Sequence, residues 1–273
     1  KRLEELLHVQ LLERAGRTVR LTEAGKVYLT HAQRALGELE AGTRAIKDLH
    51  GLSRGLIRLG LTPITDHMSS SLLENFSALY PGVSISALEM SQDSIENSIA
   101  NDRIDIGIMF SDTFSPALES NGIESRVLFV DHLHLAVGKN HSYVNNKFPI
   151  MVSDLQHESL VLLNTDFEMR RQLVKYFHKQ GCKPNISIEA NSLGMIMEII
   201  RLGRLSTILP ASIISTQWEI YPVLVKPDLP NHAVTLVSRV EKHRSTACQA
   251  FYDFSLKWAS GGRGINAKKT MFE

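Results

Sequence analysis

The sequence predicts a mixed α/β protein: a short basic hairpin and a long helix, then two α/β lobes facing one another across a cleft. Three observations carry this. From residue 56 onward strand-length apolar runs alternate with helical stretches; the alternation restarts near residue 160; and an unbroken heptad spacing runs from residue 28 to 49 with no strand signal beside it. At 273 residues, 43% hydrophobic and 22% charged, the composition is that of a folded globular chain and excludes disorder, collagen and a disulfide scaffold. No apolar stretch reaches the roughly 18 uncharged residues of a membrane helix, and no apolar signal core follows Lys1-Arg2-Leu3-Glu4-Glu5. A soluble cytoplasmic protein without membrane contact is therefore expected.

Arg2 to Leu7 reads as the end of a helix, with Leu3, Leu6 and Leu7 on one face. Leu12 to Thr22 reads as a hairpin, because Thr18, Val19 and Leu21 favour strand and Ala15-Gly16 supplies the turn. Between Arg14 and Arg34 five positive residues stand against one acid, Glu23, a local +4 inside a chain of net charge +1. Guanidinium forks match phosphate oxygens and release counterions, so Arg14, Arg17 and Arg20 are candidate DNA contacts. A merely solvated charged hairpin is the alternative. Thr22 is a good N-cap for a helix running to about Leu49 and stopped by Gly51. Along it Tyr28, Ala32, Ala35, Leu39, Gly42, Ile46 and Leu49 recur at steps of 4 and 3, the spacing of a seam between helices. A second copy of the chain is the expected occupant, with packing on the helix's own domain as the alternative. Residues 52–55 read as a hinge.

Leu56 to Leu61 is a strand interrupted by Arg58, followed by the loop Thr62-Pro63-Ile64-Thr65 and a helix from about Asp66 to Tyr80. Strand Val83 to Met90, a helix from Gln92 to about Asn101 and strand Ile104 to Phe110 complete a βαβαβ unit, which implies a parallel sheet covered on both faces. A long extended segment, Arg126 to Val137, leads to the second set: strand 160–163, helix 168–180, strand 186–190, helix 193–202 and strand 206–209. Strands 221–225 and 233–240 and a final helix, 245–258, are expected to return to the first lobe.

Ligands in such sheets bind beyond the carboxyl ends of the strands, where helices begin. The loops there carry Thr62 and Thr65, Ser91 and Gln92, Asn164 and Thr165, and Asn191 and Ser192. Helix N-termini beside these groups favour a small anion. Each Ser, Thr or Asn taken singly is as readily a helix cap, and Asp66 and Asp166 oppose an anion unless they turn away. No loop offers an arginine clamp.

An enzyme finds no support in these loops: GxSxG, GxGxxG, P-loop and HExxH motifs are all missing. No catalytic residue, cofactor or metal site is assigned. His132, His134 and His141 lack an acidic or thiol partner at ligand spacing and read as surface or edge histidines. Cys182 and Cys248 match no CxxC spacing and read as inert thiols.

The run Lys1-Arg2-Leu3-Glu4-Glu5-Leu6-Leu7-His8-Val9-Gln10-Leu11-Leu12-Glu13-Arg14, continued by Gly16-Arg17-Thr18-Val19-Arg20-Leu21-Thr22-Glu23-Ala24-Gly25, resembles the winged helix-turn-helix of LysR-type transcriptional regulators. Residues 55–60 (Gly-Leu-Ile-Arg-Leu-Gly), Tyr80-Pro81-Gly82-Val83, Arg103 to Ile108 and Leu209-Pro210-Ala211 resemble the same family. The resemblance implies a partial winged helix-turn-helix over residues 1–21, a dimerising linker helix over 22–51 and a two-lobed, periplasmic-binding-protein-like (type 2) effector domain over 52–260. Its first lobe would take 52–135 and 221–260 and its second 136–220, leaving 261–273 as a disordered tail. By the same resemblance residues 1–7 are the tail of a recognition helix whose base-reading start is missing. The full-length parent would then bind promoter DNA specifically, and this chain weakly. Arg17 becomes the best wing contact, supported by Arg14 and Arg20. The implied partners are promoter DNA, a small effector, a homodimer or homotetramer, and RNA polymerase. Glu89-Met90-Ser91-Gln92, Glu189-Ala190-Asn191-Ser192 and Leu205 to Pro210 are most similar to the cyanate-operon regulator branch, which points to cyanate or another small anion. A solute-binding protein of the same fold is the alternative, and the N-terminal 50 residues argue against it.

Overall fold

The computed structural model describes residues 1–15, 18–48, 55–111, 122–146, 148–240 and 244–263. Helix α1 (Arg2–Leu7) ends on His8 in the left-handed region. Strands β1 (Leu12–Ala15) and β2 (Thr18–Leu21) pair antiparallel, Leu12 with Leu21 and Ala15 with Thr18. Glu4 ties helix to hairpin. Its Oε1 accepts from the Leu11 and Leu12 amides at 2.9 and 3.1 Å, and these donors hold its carboxyl below the usual value. Helix α2 (Glu23–Asp48) starts where the sequence places it: Thr22 Oγ1 accepts from the Gly25 amide at 3.0 Å. A Cβ on Gly25 would stand 2.0 Å from the Leu11 carbonyl oxygen, so only glycine admits the hairpin this close to the helix. Of the hinge expected at 52–55, residues 52–54 lie outside the described residues and Gly55 opens the next strand.

The rest is built on one continuous sheet of order β4 (Val83–Glu89), β3 (Gly55–Leu61), β5 (Ile106–Ser111), β13 (Asn231–Arg239), β6 (Ile123–Gly138), β10 (Ser206–Pro210), β8 (Ser159–Leu163), β9 (Asn185–Ala190), with β11 (Ile220–Val223) also pairing β6. Strands β3 (Gly55–Leu61), β4 (Val83–Glu89) and β5 (Ile106–Ser111) run parallel, and helices α3 (Pro63–Leu79) and α4 (Gln92–Ala100) connect them. Ile57, Leu59 and Leu61 are fully buried. Arg58, which breaks that apolar run, is accommodated by a two-point bond to Asp105, Nε to Oδ2 at 3.1 Å and Nη2 to Oδ1 at 2.7 Å.

The second lobe repeats the pattern with β8 (Ser159–Leu163), α5 (Glu168–Lys179), β9 (Asn185–Ala190), α6 (Leu193–Arg201) and β10 (Ser206–Pro210), preceded by the short β7 (Ile150–Met151). Strand β6 (Ile123–Gly138) belongs to both lobes. Ile123 to His132 pair with β13 (Asn231–Arg239), and Leu133 to Val137 pair with β10. The short helix α7 (Ala211–Ile214) leads to β11 (Ile220–Val223) and β12 (Val225–Lys226), and α8 (Thr246–Trp258) closes the described fold against α3. Phe76 of α3 packs on Phe251 and Phe254 of α8 at ring-centroid distances of 5.0 and 5.6 Å.

Two expectations are corrected. Helix α3 begins at Pro63 rather than near Asp66, because proline at the first helical position is preorganised and Thr62 caps it. Residues 220–226 stay with the second lobe: β11 pairs with Leu135 to Gly138 and β12 with β7, so the chain returns to the first lobe only at β13. Residues 259–263 continue as helix after Trp258, so the tail expected over 261–273 begins as helix over 261–263, and 264–273 lie outside the described residues.

Candidate ligand cleft

The carboxyl ends of β3, β5 and β8 converge on a narrow space of about 10 Å³ between the lobes. Thr62, Pro63, Ile64, Gln92 and Phe110 line it from one side; Leu163, Phe167, Glu168 and Met169 line it from the other. Of the six residues expected there, the structure brings Thr62 and Gln92 into the wall. Thr65 lies behind it, fully buried, accepting from the Thr62 amide at 2.8 Å and donating to the Ile108 carbonyl at 2.6 Å. Its hydroxyl is committed to the scaffold, which corrects the expectation of a ligand contact. Ser91 caps α4, taking the Ser94 amide at 3.3 Å. Asn164 closes a turn on Asp166, and its own amide donates to the Ala190 carbonyl at 2.9 Å. Asn191 is exposed beyond β9, off the cavity wall.

Three features escaped the sequence reading. Arg171, one turn into α5, crosses the lobe boundary: its Nη2 meets Asp93 Oδ1 of α4 at 3.2 Å and its Nε meets Glu168 at 2.7 Å. Arg171 thus bridges the two lobes by ion pairs rather than clamping a ligand: it lies off the cavity wall, with its guanidinium taken by Glu168 and Asp93. Gln92 donates through Nε2 to Glu96 at 3.3 Å, while its Oε1 is buried without a partner among the described residues. His232 on β13 is 1% exposed, stands edge-on to Phe110 at 5.1 Å, and neither ring nitrogen has a hydrogen-bond partner among the described residues. Burial pushes its pKa down to about 4.

The unfolded chain, with histidine near its ordinary 6.5, takes up a proton that the folded protein refuses. Stability is therefore full above pH 6.5 and falls as pH drops from 6.5 to 4, by on the order of 2 to 3 kcal/mol. His232→Phe should flatten this dependence; chemical denaturation at pH 4.5 and 7.5 measures it, and equal slopes for both proteins would exclude His232 as the cause.

The remaining histidines and cysteines separate. His132 Nδ1 lies 2.7 Å from Asn231 Oδ1, and burial lowers the pKa of His134. His141 is buried against Glu158 at 3.2 Å, which corrects its placement at a surface or edge. Among the described residues no group of three or more His, Cys, Asp or Glu is arranged to hold a metal. Cys182 and Cys248 are both buried and form no disulfide; burial pushes the Cys182 thiol up.

The basic hairpin is a second surface. Direct cross-strand partners share a face, so Arg20 lies beside Glu13 and Arg14 beside Val19 on the opposite face. One arginine therefore projects from each side of the ribbon, and Arg17 lies outside the described residues. On α2 the seam residues Ala35, Leu39 and Gly42 are exposed, Leu39 at 71%. The opposite face, Gln33 and Gly37, sits on the corner after α4: Arg103 Nη2 donates to Gln33 Oε1 at 2.5 Å, and a Cβ on Gly37 would stand 3.0 Å from Asp102 Cβ.

A sequence profile for the LysR substrate binding domain matches residues 50–260. The chain belongs to the LysR-type transcriptional regulators. This LysR-type chain is 26% identical over 267 residues to the transcriptional dual regulator GltC of Bacillus subtilis (strain 168), covering 94% of itself and 85% of GltC. Its fold is similar to full-length CbnR complexed with its target DNA, at TM-score 0.62 and 23% identity over 94% of this chain and 87% of that one. The Synechocystis PCC6803 CcmR regulatory domain in complex with 2-PG is similar at TM-score 0.67 and 17% identity, over 76% of this chain and 98% of that one. Among the described residues of the LysR-type chain, no helix is long and apolar enough to cross a membrane.

Proposed function

We propose that this LysR-type chain regulates transcription in the cytoplasm by binding promoter DNA under the control of a small effector held in the cleft between the lobes. The observation that carries the reading is the placement of α4. Gln92 at its start lines the cleft, the adjacent Asp93 grips Arg171 of the other lobe, and the corner after its end carries Asp102 and Arg103 against the linker helix. A ligand that changes the closure of the lobes moves α4, and α4 moves the helix that leads to the basic hairpin. The shift is limited by the ligand's differential affinity for the two closures.

A small anion is supported by the N-termini of α3 and α4 at the cleft and by its narrow volume. Cyanate fits that description, although it rests on the sequence resemblance alone; the CcmR regulatory domain was solved with 2-PG, a different compound. Thr62, Gln92, Ser91, Asn164 and Asn191 remain the proposed effector contacts, with Thr65 holding Thr62 in place. The exposed seam of α2 supports self-association, and Arg14, Arg17 and Arg20 are proposed to meet phosphate.

Calorimetry of the full chain against cyanate, azide and a set of small carboxylates tests the reading. One anion should bind, and Gln92→Ala should weaken it about tenfold, the loss of one good hydrogen bond to a charged group. Binding unchanged by Gln92→Ala would place the effector elsewhere.

A further inference from the structure

The cleft between the lobes leaves about 10 Å³, room for about one water molecule and less than even cyanate needs. An effector enters only after the lobes part, so whatever holds them together sets its apparent affinity. Arg171 of α5 and Asp93 of α4 are paired across that boundary, Nη2 to Oδ1 at 3.2 Å. On its own side Arg171 is already fixed. Its Nε meets Glu168 Oε2 at 2.7 Å, and its Nη1 donates to the Thr165 and Asp166 carbonyls at 3.4 and 3.3 Å. Long side chains lose conformational freedom when they pair across a surface, and here α5 imposes that loss before Asp93 is met. The arginine is also the counter-ion that lets the two helices approach. Asp93 and Glu96 of α4 and Glu168 of α5 place three carboxylates near it; burial, and then Asp93 and Glu168, push the Glu96 carboxyl up, while Gln92 and Arg171 oppose them.

We propose that the Arg171–Asp93 pair is an autoinhibitory latch: it holds the lobes in a closure too tight for the effector, and it parts before the effector enters. The proposal rests on the reading of the cleft as the effector site. Arg171 lies off the cavity wall, so it acts on binding through the closure of the lobes and not by touching the ligand. Asp93 is the half that yields. Its side chain is 68% exposed, whereas Arg171 stays with Glu168 in its own lobe. An exposed pair is weak, and a latch has to be, since a strong one would hold the cleft shut against any ligand. Breaking it should multiply the open population by about three, and tighten apparent effector binding by the same factor while that population is small.

The open population is read without ligand, as the distance between spin labels at Asn97→Cys on α4 and Lys175→Cys on α5, both exposed positions of the full chain. Cys182 and Cys248 are buried and escape labelling, and dilution with unlabelled chain keeps the distances within one copy. Asp93→Ala should raise the long-distance population about threefold. Asp93→Lys, which repels Arg171, should raise it further, and Asp93→Glu should leave it as in the parent chain. Asp93 also lies in the first turn of α4, where an acid supports the helix itself. A double-mutant cycle separates the two roles: in the Arg171→Gln background, Asp93→Ala should not raise the population again. An unchanged distribution in Asp93→Ala, or the same increment in both backgrounds, would overturn the proposal. Titration with cyanate, azide and small carboxylates follows on the same variants. An anion that binds should bind Asp93→Ala about threefold tighter, and equal or weaker binding would remove the autoinhibitory role. If the distances respond as expected and none of these anions binds, the latch stands and the effector assignment alone fails.

Discussion

Gly138→Ala is expected to remove about 4 kcal/mol of stability or more, the magnitude of a severe core clash. Gly138 ends β6 and pairs with Ile220, and α6 lies directly across it. A Cβ there would stand 2.1 Å from the Ile200 carbonyl oxygen and 3.0 Å from its carbon, and the neighbour is helix backbone rather than a side chain that could turn aside. The helix cannot retreat cheaply, because Ile196, Met197 and Ile200 are buried beneath it. Since β6 is shared by both lobes, strain at its end also disturbs the strand on which their relation depends. Gly42→Ala is the control: nothing among the described residues stands within 4 Å of an added Cβ, and alanine suits the interior of α2. Urea unfolding should separate the two variants widely; equal midpoints would refute the packing argument.

Asp102→Ala is expected to cost about 4 kcal/mol and to loosen the linker helix from the first lobe. The larger part, about 3 kcal/mol, comes from breaking the buried ion pair with Arg239. Asp102 is 4% exposed and Arg239 Nη1 lies 2.6 Å from its Oδ2. A further 1 kcal/mol or so comes from backbone: Asp102 has φ of 57°, a region where aspartate and asparagine are tolerated and alanine is strained. Asp102→Asn should therefore cost about half as much, since it retains the backbone preference and one acceptor. Hydrogen exchange over residues 30–40 should accelerate in Asp102→Ala beyond what the global loss of stability explains. If those amides exchange no faster than the global change requires, Asp102 supports the lobe but not the contact with α2.

Both results bear on how far the sequence can be read. Local periodicity depends on neighbours two, three or four positions away, so strands and helices were legible to within a few residues. The exception at α3 is instructive. Thr62-Pro63-Ile64-Thr65 resembles a loop by composition, yet proline and threonine are also what a helix start requires, and only the folded geometry separates the readings. The seam on α2 was legible as a pattern. That its opposite face is occupied by Asp102 and Arg103 was not, because those contacts join residues more than sixty positions apart.

The candidate site divides in the same way. Thr62 and Gln92 were identifiable because strand ends and helix starts are local features. Arg171 with Asp93 and His232 with Phe110 were not, since neither pair shares a spacing or motif. By itself the sequence determined the α/β class, the basic hairpin, the heptad seam and the family. The tertiary structure alone decided which strand both lobes share, which hydroxyl is consumed by the scaffold, and which arginine spans the cleft. The reason is physical: propensity and periodicity act through the nearest few residues, whereas a cleft is made where distant segments are forced together by burial of the core between them.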